Sequence, residues 1–151
     1  MKPITILELH KYSGYASGLY FLPSTVNTLR VQLPDGSTRE IIHPKLSRDF
    51  VSGILEDSKT NGYFRRSSIR SVEFLTDDRN DLPELSFTRK AVGEQLLELE
   101  MPARFRISYR DGGATQKVVV VGIYRGFLVT DYYLNPAIPL AALSSIEVEC
   151  V

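Results

Sequence analysis

A chain of 151 residues with 43% apolar and 24% charged content is sized for one ordinary soluble domain or two very small ones. Lys plus Arg and Asp plus Glu both number 18, so the formal net charge is zero, which argues against coating nucleic acid or anionic lipid by bulk charge. No apolar run reaches the roughly 20 residues that cross a bilayer, the lone Cys150 excludes an intrachain disulfide, and His10 and His43 stand without zinc-ligand spacing.

The N-terminus, MKPITILELHKYSGY, lacks the apolar region and cleavage site of a secretory signal, so a cytoplasmic location with no membrane attachment is expected. YSGYASGLYFLPS (12–24) follows, with rings at Tyr12, Tyr15, Tyr20 and Phe21. These rings suit stacking on a base or gripping a peptide; completing a small core is the preferred reading. TLRVQL alternates strictly, with Leu29, Val31 and Leu33 on one face, and Asp35-Gly36 after it signals a hairpin turn with positive φ at both central residues. HPKLSRDFVSGILED offers Pro44 as the opening of a helical turn. FVSGIL (50–55), a polar turn DSKTNG with a tight-turn signal at Asn61-Gly62, and SSIRSVEF (67–74) complete the first half.

LTDDRNDLPEL, rich in turn formers, begins an acidic block: residues 75–100 carry net charge −4 between blocks of +2 and +1. That stretch reads as a solvated linker, because it lacks the ligand alternation of a calcium loop. The best helix is FTRKAVGEQLLELE (87–100), with Val92, Leu96 and Leu99 at helical spacing and Gly93 weakening it; its tail, QLLELEM, also fits a strand. RFRISYR then alternates into Asp111-Gly112. KVVVVGIY (117–124) is a β-branched run expected to be buried on both sides, with Gly122 as a bulge or bend. GFLVTDYYL, a turn at Asn135-Pro136, and AALSSIEVE close the chain; of Tyr132 and Tyr133, one is expected in the core and one outside.

The two halves echo each other. Ile69, Ser71, Val72 and Glu73 parallel Leu143, Ser145, Ile146 and Glu147, and Asp35 to Val72 spans 37 residues against 35 from Asp111 to Ile146. The echo points to an internal duplication. The expected fold is mainly β: two related small barrels in tandem with at most one or two short helices, over 1–76 and 101–151, joined by 77–100. An Asp-Gly hairpin, an apolar strand and a short closing strand, carried by Asp35, Gly36, Gly53 and IRSVEF and again by Asp111, Gly112 and IPLAALSSIEV, resemble the Sm-like or SH3-like small barrel over about 100 of 151 residues. The resemblance implies that fold and, for the Sm-like family, RNA binding through an Asn in one loop and an Arg-Gly near the last strands. Neither half has both at matching places, and Arg125-Gly126 precedes a different strand.

For function, no nucleophile motif, Gly-rich phosphate loop or metal spacing accompanies the histidines, so no enzyme, catalytic residue, metal or cofactor is expected. The first expectation is a non-enzymatic adaptor or regulator that binds a protein partner through a barrel groove or strand edge, with Tyr12, Tyr15 and Tyr132 as candidate contacts. The alternative is an RNA- or single-stranded DNA-binding module using YFRRSSIR, where Tyr63, Arg65, Arg66 and Arg70 interleave rings with cations. Oligomerisation through strand edges is open to either.

Overall fold

The computed structural model describes residues 2–4, 28–75 and 86–149. It is mainly β, as the patterning predicts. Twelve strands pair in one sheet: β1 (Lys2–Ile4), β2 (Thr28–Gln32), β3 (Thr38–Leu46), β4 (Phe50–Leu55), β5 (Asn61–Arg65), β6 (Ser71–Leu75), β7 (Ser86–Phe87), β8 (Ala103–Tyr109), β9 (Gln116–Tyr124), β10 (Phe127–Thr130), β11 (Ala137–Pro139) and β12 (Leu143–Val148). The order is β1-β6-β2-β3-β4-β5-β12-β8-β9-β10-β11, and β7 pairs with β3 off that path. The path is open: among the described residues, no pairing closes either half on itself. Among the described residues, helix is confined to α1 (Val92–Leu96) and two 3-10 turns, Arg66–Ser68 and Leu140–Ala142.

Within this sheet β6-β2-β3-β4-β5 and β12-β8-β9-β10-β11 repeat one order: the last strand lies beside the first, and a 3-10 turn precedes it. The two turns enter with nearly the same backbone, φ −69 and ψ 127 at Arg65 against φ −70 and ψ 130 at Pro139. Registers match as well. Val31 faces Val72 as Ile107 faces Ile146. Each half carries a bulge with the extra residue on its second strand, at His43-Pro44 in β3 and around Val121 in β9. The predicted bend at Gly122 thus falls one residue away. The halves join where β5 pairs antiparallel with β12.

Two apolar clusters follow from strand alternation. Leu29, Val31, Ile41, Leu46, Val51, Leu55, Phe64, Ile69 and Val72 fill the first. Phe105, Ile107, Val120, Leu128, Ile138, Leu143 and Ile146 line the second, joined by Val92 and Leu96 of α1 and by Phe50 and Tyr63 from the first half. β4 and β5 are therefore buried on both faces: Val51 and Phe64 look into one cluster, Phe50 and Tyr63 into the other. Gly53 permits that close packing, since a Cβ there would sit 2.4 Å from Ile41 Cγ2 and 2.7 Å from the Ile42 carbonyl.

Several local expectations give way. In both Asp-Gly turns only the glycine has positive φ, 88° at Gly36 and 84° at Gly112. The aspartate instead accepts a hydrogen bond two residues on, Ser37 N to Asp35 Oδ1 and Gly113 N to Asp111 Oδ1, both 2.9 Å. Two successive positive φ values, 49° and 82°, occur at Arg125-Gly126, which connects β9 to β10. The Pro44 segment is strand, because Ser47 N donates to Phe50 O and Ser47 Oγ accepts from Phe50 N, making a tight β3–β4 hairpin where a helix would start. The helix expected over 87–100 shrinks to five residues: Ala91 has no side-chain oxygen for an N-cap, and residues 97–102 are turn and bend rather than strand. Asn61-Gly62 opens β5, and the turn lies earlier, with Lys59 at φ 60°. β9 is not buried on both sides, for only Val120 is fully covered.

Candidate docking edge and face

β11 has β10 on one side and no partner on the other among the described residues. Its hydrogen bonding shows which groups are left. Thr130 N donates to Pro136 O and Leu140 N to Gly126 O, so within this antiparallel ladder the N–H and C=O of Ala137 point away from β10. The outer face beside that edge is apolar. Phe127 faces Tyr124 on β9 and Pro139 on β11, and Val129 faces Gly122 and Ala137, so these side chains share one surface. Phe127 is 42% exposed and Tyr124 62%. The adjoining β10–β11 loop adds Tyr132, Tyr133 and Leu134, with the two rings edge to face at 5.7 Å. Both tyrosines are exposed, 50% and 82%, because residues 131–135 form a turn knotted by Thr130 Oγ1 on Asn135 O, not a strand with an inside and an outside. An apolar surface of this kind on a sheet edge is what strand-adding partners use.

The corresponding surface of the first half is occupied. There Tyr63 holds the place of Ala137, and its N–H points to β12 opposite Ile146. Phe50 holds the place of Phe127 and is 2% exposed. Ser52 Oγ donates to Gln95 Oε1 of α1 at 2.9 Å, and Gln95 Nε2 returns to Lys90 O. Burial, then the nearby Glu98 carboxylate, pushes the Tyr63 hydroxyl up to about 12.

The basic-aromatic segment 63–70 is part of this joint. Arg65 donates from Nε to Leu143 O at 2.7 Å and from Nη2 to Leu140 O at 2.9 Å, with its guanidinium 4.6 Å from the Phe50 ring centre. Burial, then Arg110, lowers its pKa. Arg66 is buried and donates to Ser47 O at 2.9 Å. Tyr63 is 5% exposed, and of the four predicted residues only Arg70 is exposed. The structure therefore buries Tyr63 and Arg66 and ties the half-buried Arg65 to the second half, instead of setting the four side chains together on a solvent face. Tyr132 lies on the open surface, while Tyr12 and Tyr15 fall outside the described residues.

Two clefts lie on either side of this joint. One of about 310 Å³ lies where the two Asp-Gly hairpins meet, between Pro34 and Asp35 on one side and Tyr109, Gly112 and Gly113 on the other, with Arg65 and Ser145 also lining it. The Ser37 hydroxyl, then its amide, holds the Asp35 carboxyl below the usual carboxylate range. Another of about 470 Å³ lies between β3–β5 and α1, lined by His43, Lys45, Tyr63, Lys90 and Glu98. Lys90 and Glu98 pair there, which raises the pKa of the lysine and lowers that of the glutamate. No group of three or more His, Cys, Asp or Glu side chains suited to a metal occurs among the described residues, and no described helix is long and apolar enough to cross a membrane.

Phe127 and Tyr124 were not singled out by sequence reasoning. The signal was present: Arg125-Gly126 is a two-residue connection, and its flanking residues must pair across it. No family model, no curated protein and no solved structure matches this chain.

Proposed function

We propose that the chain is a tandem of two related small barrels of the SH3-like or Sm-like kind, over 1–76 and 101–151 with 77–100 as linker. In this reading it works as a non-enzymatic adaptor that takes a protein partner on the β11 edge and the apolar face beside it. The observation that carries the reading is the contrast between the two corresponding faces: the one holding Phe50 is covered, and the one holding Phe127 is open. The repeated strand order and matched bulges support the tandem. Ala137 offers one backbone donor and one acceptor to an added strand, and Phe127, Tyr124 and Val129 offer apolar contact to alternate side chains of that strand. The nucleic-acid alternative has lost support at Arg65 and Arg66, whose guanidinium groups are already bonded to backbone carbonyls.

Panning a displayed library of extended peptides on the immobilised chain tests the reading. Enriched ligands are expected to be apolar at alternate positions, to tolerate salt, and to lose binding to Phe127→Glu and Ala137→Pro. Ligands that bind both variants as well as the parent chain would refute it, and an oligonucleotide bound with a steep salt dependence would favour the alternative.

A further inference from the structure

Resting on that reading, we propose that the β11 face docks a second copy of this chain, head to tail, with the β6 edge of the second copy laid against β11. The template is the joint inside the chain itself. There the last strand of one half, β12, lies against the fourth strand of the other, β5, with Ile146 opposite Tyr63. The chain carries each side of that joint twice. The second copy of the β5 side is β11, where Ala137 takes the place of Tyr63. The second copy of the β12 side is β6, where Val72 takes the place of Ile146. The hydrogen-bond directions agree. Leu33 N donates to Ser37 O, which turns Gln32 and Arg30 toward Ser71 and Glu73 and leaves the N–H of Val72 facing outward from β2.

Two features distinguish this outer joint from the inner one. The β6 edge is held by β1, which lays Ile4 opposite Val72 and so sits where β11 of another copy would sit. β1 has three residues, and Pro3, opposite Glu73, turns its backbone away from β6, so the pairing rests on Lys2 and Ile4 alone and β1 is a light cap. The second difference is Pro139 in the place of Arg65. The inner joint is clamped by the Arg65 guanidinium on Leu140 O and Leu143 O; the outer one has no such clamp and one backbone donor fewer. Docking between copies is therefore weaker than docking within the chain, reversible and concentration-dependent. Because its two sides differ, it propagates into a ring or a filament rather than stopping at a symmetric pair.

Sedimentation of the full chain over a wide concentration range tests the proposal. Average mass is expected to rise with concentration. Pro139→Arg restores the clamp at a backbone conformation that Arg65 already adopts, and it is expected to tighten association about tenfold. Ile4→Pro loosens the β1 cap and is expected to tighten it as well. Ala137→Pro and Phe127→Glu are expected to stay monomeric with unchanged unfolding midpoints. A parent chain, Pro139→Arg chain and Ile4→Pro chain that all remain monomeric at the highest concentration would overturn self-docking, as would association that Ala137→Pro leaves intact. Failure here is distinct from failure of the adaptor reading, because peptides captured in a Phe127-dependent way would still report a docking face.

Discussion

Phe50 at the start of β4 and Phe127 at the start of β10 occupy corresponding places, one opposite Arg65 and the other opposite Pro139. Yet the first is 2% exposed and the second 42%. Their own strands do not explain the contrast. It comes from what each half has next to it: the second cluster lies against the Phe50 face of β4 and β5, whereas α1 covers only the inner face of β10 and β11, that of Leu128 and Ile138, and none of the described residues forms a layer over the face that carries Phe127. A sheet face in this chain is made buried or open by its neighbour, so the same alternation of side chains gives a core in one half and a docking surface in the other.

The largest expected break in that comparison is truncation. Phe50→Ala should destabilise the protein by about 3 to 5 kcal/mol, the usual loss for a buried ring, whereas Phe127→Ala should fall within about 1 kcal/mol of the parent; urea denaturation of the pair measures both. Arg65→Ala comes next, at about 2 kcal/mol, because two carbonyls of the second half lose a charged donor. Ser52→Ala, which leaves Gln95 without its hydroxyl partner, should cost about 1 kcal/mol by the same measurement.

An effect confined to alkaline solution, and absent at neutral pH, sharpens the contrast last. Tyr63 keeps its proton in the folded state up to about 12, against 10.0 for the free side chain. Between those values the unfolded chain has lost the proton and the folded chain holds it, so the unfolded state binds fewer protons and stability falls as pH rises. Below 10.0 the contribution is fully present. Tyr63→Phe should flatten that alkaline slope, read as unfolding midpoint against pH, while Tyr133→Phe on the open loop should leave it unchanged.

Much of this fold was legible in the sequence. Strict alternation marks β2 and β8, and the parallel between Ile69–Glu73 and Leu143–Glu147 marks the closing strands of the two halves. Three things were not legible. KVVVVGIY looks buried on both faces because β-branched residues suit any strand, and only the neighbours of β9 determine that Val121 is left outside. The arginines of YFRRSSIR look like a phosphate-binding face because sequence reports charge but not direction; two backbone carbonyls from residues 75 and 78 positions away claim Arg65. Finally, loop length selects the turn type, so Arg-Gly, a two-residue connection, took positive φ at both residues, while Asp-Gly, twice in a longer loop, took it at the glycine alone.

The most direct measurement of the central claim is amide hydrogen exchange at two corresponding positions, Tyr63 and Ala137, in a dilute solution. The account predicts that the Tyr63 amide, held against β12, exchanges only with global unfolding, while the Ala137 amide exchanges at nearly the rate of an unstructured chain. Equal protection at both positions would contradict it.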